Sequence, residues 1–166
     1  MTKRYHVAFG VYGIIGDENG LVVIRKNGGP YINRYDLPGG SLEDGESLFK
    51  AISREIHEET GLATSKAEQV GTTSFKYPWS YEKWAFNQHI CVFYRIRESV
   101  GVIEPVAPQF VGQDSLGAAK VPLETLTIKN SSPLVLKAKE YLLDHENFDV
   151  KDTIYEDWEV LSSPIF

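Results

Sequence analysis

Apolar and polar positions alternate at the start of the chain. Between Tyr5 and Ile15, Val7, Phe9 and Val11 fall on every second position, as in a strand with one buried face. Asp17-Glu18-Asn19-Gly20 is a turn signal and Leu21-Val22-Val23-Ile24 a second strand, which predicts a hairpin. Arg25 and Lys26 close that strand. Asn27-Gly28-Gly29-Pro30 reads as a loop, and Asn33 to Asp36 leads into Leu37-Pro38-Gly39-Gly40. From Leu48 the period lengthens. Leu48, Phe49, Ile52 and Ile56 form one helical stripe, and Gly61 stands where a left-handed cap would stop the helix. Further strands are predicted over 67–77, interrupted at Gly71, over 86–96, and in a short run over 118–121. Pro105 and Pro108 mark a surface loop, and Pro122 to Leu126 a single helical turn. Ser132 offers an N-cap with Pro133 at the first helical position, and Leu134, Ala138, Tyr141 and Leu142 follow with helical spacing. Strands, a helix, more strands and a closing helix predict an α/β/α sandwich around a mixed sheet.

The first helix carries an awkward set of charges. Glu55, Glu58 and Glu59 stand at i, i+3 and i+4, so a helix gathers three carboxylates on one face. Like charges at that spacing repel by about 0.2–0.5 kcal/mol per pair, and the C-terminal half of a helix disfavours negative charge. Counted around the helix, the glutamates lie beside the apolar stripe, at the edge of a core. Lys50, Ser53, Arg54 and His57 take the far side. A divalent cation would relieve the repulsion, and all-oxygen ligation suits Mg²⁺ or Mn²⁺. A solvated acidic face is the alternative that spacing alone leaves open.

The surrounding pattern narrows the choice. Gly40, Glu46, Arg54, Glu55, Ile56, Glu58, Glu59, Gly61 and Leu62 match every specified position of G-x5-E-x7-R-E-U-x-E-E-x-G-U, where U is a bulky aliphatic residue. The stretch therefore resembles the box of the Nudix family. The resemblance implies a Nudix-like α/β/α sandwich with a mixed β-sheet and hydrolysis of a diphosphate linkage in a nucleoside diphosphate joined to a further group. It makes Glu55, Glu58, Glu59 and Arg54 the catalytic set. Glu58 and Glu59 would be metal ligands and Glu55 a ligand or the base. Arg54 would orient a neighbouring carboxylate such as Glu55, and a backbone carbonyl of Gly39 or Gly40 would approach the metal, Mg²⁺ with Mn²⁺ as a substitute. The family commonly adds an acidic residue before a late short strand. Asp114 is the best match, with Glu104 and Glu82 as rivals.

Composition removes other functions. The chain has 166 residues and a formal charge of −6, so no basic surplus exists to hold a nucleic-acid backbone. No run of apolar residues is long enough to cross a membrane and no signal-type segment follows the N-terminus, which points to a cytoplasmic protein. The single cysteine, Cys91, lies in an apolar run and reads as a buried thiol. That counts against an isopentenyl diphosphate isomerase-like enzyme, which would need a catalytic cysteine. An intact box counts against a non-hydrolytic nucleotide sensor.

For the substrate nucleotide, Arg25, Lys26 and Arg34 are the basic residues nearest upstream of the box. The most aromatic stretch, Phe75 to Phe86, offers Tyr77, Trp79 and Trp84 for stacking on a base. The expected binding set is thus Arg25, Arg34, Tyr77, Trp79 and Trp84. Residues 1–147 are expected to form the catalytic domain. The tail 148–166, with Tyr155, Trp158, Leu161, Ile165 and Phe166, is expected to pack on it or on a partner subunit of a homodimer.

Overall fold

The computed structural model describes residues 2–166. Its first strand, β1, Tyr5–Ile14, lies parallel to the central strand β7, Trp84–Val100, in register from Tyr5 opposite Phe86 to Ile14 opposite Arg95. On its other edge β1 pairs antiparallel with β5, Gly39–Gly40. β6, Ala63–Tyr81, runs antiparallel to β7, and β9, Thr153–Ile154, adds a parallel edge to β6. The sheet is therefore mixed, in the order β5-β1-β7-β6-β9. A second sheet is built on β3, Gly20–Lys26, which pairs with β2, Gly16–Asp17, β4, Tyr35–Asp36, and β8, Ser115–Val121.

Side-chain alternation divides the interior. On one face of the first sheet Tyr12, Ile14, Cys91 and Phe93 pack against α2, Pro133–Leu143, through Leu134, Val135, Ala138 and Tyr141. On the other face Val11, Val92 and Tyr94 pack against α1, Leu48–Thr60, through Ala51, Ile52 and Ile56. Successive residues on β1 and β7 thus feed opposite layers. Each large aliphatic chain buried this way contributes about 1.5–3 kcal/mol. The sandwich architecture agrees with the pattern of the sequence. Phe49 departs from it: spacing places the ring in the apolar stripe, but it is 45% exposed, and Ala51 takes the inward position.

α1 begins at Ser47, whose side chain accepts from the Lys50 N–H, and ends at Gly61 with φ 80°. A Cβ on Gly61 would fall 2.6 Å from Cγ of Glu104, so both backbone conformation and space require glycine there.

Two expectations are corrected. The Asp17–Gly20 turn joins β2 to β3, whereas β1 leaves for the other sheet. The long hairpin turns between Tyr81 and Trp84 rather than at Pro78–Ser80. Pro78 is tolerated inside β6 because β9 covers that edge only at Phe75 and Lys76. Of the tail's aromatic residues, Phe148, Tyr155 and Trp158 pack against the chain's own core, the first of the two placements expected for them. The tail also binds the segment that leads into the box: Asn33 Nδ2 donates to Leu161 O at 2.7 Å and Ile165 N to Asn33 O at 3.1 Å. Among the described residues no helix is long and apolar enough to cross a membrane.

Candidate active site

The glycine pair of β5 is clamped to β1, with Gly39 opposite Tyr12 and Gly40 opposite Val11. The last turns of α1 lie over it. Glu59 Oε2 accepts the Gly39 N–H at 2.9 Å, and a Cβ on Gly40 would fall 2.7 Å from Glu55 Oε1. Bare glycine backbone is what lets two carboxylates come this close to a strand.

Arg54 organises the remaining carboxylates. Its Nε and Nη2 donate to the two oxygens of Glu46 at 2.9 and 3.0 Å, a bidentate pair. Nη1 donates to Glu55 Oε1 at 3.0 Å and to Glu58 Oε2 at 3.2 Å, and Nη2 also reaches Ser41 O at 3.1 Å. Glu46 first and then Glu55 hold the guanidinium pKa above its ordinary value, against the effect of burial. Glu46, whose function spacing left open, is thereby the anchor of Arg54, and its Oε2 also accepts the Glu43 N–H.

Burial sets the electrostatics. Glu59 is 1% exposed, and burial pushes its carboxyl well above the usual range; Lys26 opposes this, while Asp114 and Glu55 add to it. Glu55 is raised for the same first reason, opposed by Arg54 and assisted by Glu58 and Asp114. Two neighbouring carboxylates are thus held where negative charge is disfavoured. Among the described residues no three His, Cys, Asp or Glu side chains converge on one point as they stand. Arg54 draws Glu55 and Glu58 aside and Gly39 engages Glu59. The donor set is nonetheless all oxygen, underbalanced in positive charge and beside a bare glycine strand, which fits a small hard cation.

Lys26 is the site residue that the sequence named but did not select. Its ammonium lies 2.5 Å from Asp114 Oδ2 and 3.8 Å from Asp36 Oδ2. Burial works against its charge, yet Asp36, Asp114 and Glu59 outweigh burial and hold it above the ordinary value. Simple alternation along β3 turns Arg25 inward with Leu21 and Val23. A shift in register with β8 between Ile24 and Lys26 exchanges the two faces. Arg25 consequently donates to the Pro105 carbonyl rather than to a box carboxylate. Asp114 influences Glu55 and Glu59, whereas Glu104 packs beside Gly61 and Glu82 sits at the tip of the β6–β7 hairpin.

Two of the other expected substrate residues are closed off from solvent. Arg34 is 4% and Tyr77 1% exposed, both covered by the tail. Arg34 donates to the carbonyls of Lys129 and Glu159, and Trp158 lies against both residues. Trp79 stacks on Tyr81, and Trp84 lies under Lys83. Trp84 is nine residues before Phe93, the β7 partner of Tyr12, which at about 3.3 Å per residue is about 30 Å along the strand.

Behind the glycine pair the sheet buries a chain of neutral polar groups. Asn87 Nδ2 donates to Tyr77 Oη at 2.8 Å, and Tyr77 Oη to Tyr31 Oη at 2.9 Å. Tyr31 Oη lies 3.0 Å from His89 Nδ1, and His89 Nε2 2.8 Å from Tyr12 Oη. With Tyr31 already accepting from Tyr77, its own proton goes to Nδ1, so His89 carries hydrogen on Nε2. Burial, helped by the charge of Lys26, lowers the imidazole to about 3, so the ring is neutral.

The model of the NUDIX domain matches residues 4–141, most of the chain. An ADP-ribose pyrophosphatase of Methanocaldococcus jannaschii is 39% identical over 76 residues, a match that covers 43% of this chain and 45% of that protein. The chain thus spans less than half of that relative's length. An 8-oxo-dGTP diphosphatase of Haemophilus influenzae is 29% identical over 117 residues, covering 66% of this chain and 79% of that one. In three dimensions the MutT protein of Methanosarcina mazei superposes with a TM-score of 0.64 at 18% identity, over 87% of this chain and 98% of that one, a likeness of fold. A mixed sandwich with a complete box on α1, matched along most of its length, makes this chain a member of the Nudix family.

Proposed function

We propose that this Nudix protein is a pyrophosphohydrolase that cleaves the diphosphate linkage of a nucleotide or nucleotide derivative in the presence of Mg²⁺, with Mn²⁺ as a substitute. The observation that carries this is the pair of the half-buried Glu55 and the buried Glu59, carboxylates set against Gly39 and Gly40 with too little positive charge around them. A divalent ion bound there would polarise phosphoryl oxygens and lower the pKa of bound water.

The chain's own residues do the rest. Glu55, Glu58 and Glu59 would hold the ion, with the Gly40 carbonyl and Asp114 as further ligands. Glu55 is either a ligand or the base that takes the proton from water. Arg54 keeps Glu55 and Glu58 in position and gives Glu46 its partner. Lys26, facing the same acids, is available to meet a substrate phosphate. The names of the relatives, an ADP-ribose pyrophosphatase and an 8-oxo-dGTP diphosphatase, favour a substrate in which a diphosphate joins a nucleoside to another group.

The test is turnover of nucleoside triphosphates, nucleotide sugars and dinucleotides with Mg²⁺, with products resolved by chromatography. Cleavage at a diphosphate bridge, abolished by a chelator and restored by Mg²⁺, is the expected outcome. Binding without turnover across the whole panel would overturn the reading.

A further inference from the structure

The tail places one side chain, Trp158, in a cradle of rings, a cation and a backbone acceptor. The indole of Trp158 has the Arg34 guanidinium 4.7 Å from its centroid. Tyr31, Tyr77 and Tyr155 surround it with ring centroids at 5.6, 5.4 and 5.6 Å. Its Nε1–H donates to the Pro30 carbonyl at 2.8 Å. Rings at several angles, a cation over the face and an acceptor for a ring N–H form a complete set of contacts for a fused heterocycle.

Two further features indicate that the cradle serves a ligand. Arg34 is 4% exposed, and its Nε–H is buried with no hydrogen-bond partner among the described residues. An unpaired buried donor of a charged group is costly unless something supplies the acceptor. Beside Trp158 runs a groove of about 400 Å³ lined by Pro78, Trp79, Ser80, Ala85 and Val160, with room for a displaced indole.

The cradle also connects to the box. Ring centroids step from Trp158 to Tyr31 at 5.6 Å, from Tyr31 to His89 at 5.7 Å and from His89 to Tyr12 at 5.3 Å. Tyr12 lies opposite Gly39.

We propose that Arg34, Tyr31, Tyr77 and Tyr155 form a purine-base site, and that Trp158 is the tail's own occupant, displaced into the neighbouring groove when a purine nucleotide binds. This rests on the reading that the substrate is a nucleotide. The two-ring outline of the indole matches a purine better than a pyrimidine. A purine offers ring nitrogens as acceptors for the Arg34 Nε–H and an N–H donor for Pro30. When Trp158 leaves, Glu159 O moves with it and frees Nη2 of Arg34 as a second donor. A pyrimidine would leave part of the cradle empty, so the tail selects for the larger base.

The experiment follows the indole ¹H–¹⁵N signals of the intact protein. Of its three tryptophans, Trp158 is assigned by the signal lost in Trp158→Phe. AMP and GMP are added without metal, beside UMP and ribose 5-phosphate. None of these has a diphosphate linkage, so the result is independent of turnover. A shift of the Trp158 signal to the solvent-exposed position with AMP or GMP, and none with ribose 5-phosphate, is expected. An unmoved signal under saturating AMP and GMP overturns the proposal even if the enzyme hydrolyses its substrate. A shift as large with ribose 5-phosphate also overturns it. With a purine substrate, Trp158→Ala should lower KM severalfold with kcat unchanged. A tail that only braces the domain would give a raised or unchanged KM and a lower melting temperature. Arg34→Lys should cut the preference for AMP over UMP about tenfold.

Discussion

The two faces of the five-stranded sheet both bury polar groups but leave them in opposite states. Under α1 the groups are carboxylates, and Glu55 and Glu59 are held where their charge is disfavoured. Under α2 they are hydroxyls, an imidazole and an amide, and Asn87, Tyr77, Tyr31, His89 and Tyr12 satisfy one another in sequence. A closed neutral network fixes a core with little residual demand. A buried charge without its partner is costly, and an added cation repays it. The contrast teaches where to look for chemistry: in groups whose electrostatic need the chain does not itself meet, rather than in polar groups as such.

The sharpest break in this comparison comes from Glu59→Gln. The amide keeps an oxygen for the Gly39 N–H but removes the charge. Turnover with Mg²⁺ should fall at least about a hundredfold, about 2.7 kcal/mol in the barrier. The urea midpoint should hold or rise, because burial already favours the neutral form of this side chain. Loss of activity together with loss of stability would mean that the α1 face is as structural as the other.

The α2 face should respond to acid instead. His89 is held at about 3 in the folded state, against about 6.5 in an unfolded chain. Between those values the unfolded chain binds the proton and the folded one does not, so this contribution is complete above pH 6.5 and is lost as pH falls towards 3. At pH 5 the loss is about 2 kcal/mol, read as a lower urea midpoint than at pH 7. His89→Gln should flatten that slope while costing stability at every pH. A slope unchanged by the substitution would place the acid sensitivity elsewhere.

The two faces also differed in how far the sequence disclosed them. The box could be read because its parts are local: Glu55, Glu58 and Glu59 share a helix face by spacing alone, and Gly61 ends the helix through its own backbone conformation. The polar chain could not be read because its members lie far apart, as Tyr12 and His89 do, and only the parallel pairing of β1 with β7 brings them together. Lys26 was obscured by a single irregularity in β3 that turned it inward in place of Arg25. Arg34 and Tyr77 were identified as residues worth attention, but nothing in their neighbourhood announced that Trp158, more than eighty residues on, would cover them. Glu46 lay within the pattern, yet its pairing with Arg54 across eight residues needed the folded turn.

The smallest effect should come at the seam between the two faces. Ser132 caps α2 by accepting the Val135 N–H and donates its hydroxyl to Asp36 Oδ1 at 2.6 Å. Asp36 in turn lies 3.8 Å from Lys26, the ammonium that faces Glu59. Ser132→Ala removes the cap, a cost of about 1 kcal/mol, or a fall of about 2–4 °C in melting temperature for a domain of this size. It also takes a hydrogen bond from a carboxyl that burial already raises, so Asp36 should become easier to protonate and a weaker counter-charge for Lys26. If the seam couples the faces, Ser132→Ala lowers kcat/KM severalfold, and more at the acid end of the pH profile, where a carboxyl raised by burial and robbed of a hydrogen bond takes up its proton more readily. Ser132→Thr, which keeps both the cap and the hydroxyl, should restore the profile. A loss of melting temperature with no change in the pH profile of kcat/KM would show that the faces are energetically separate, and that Ser132 serves α2 alone.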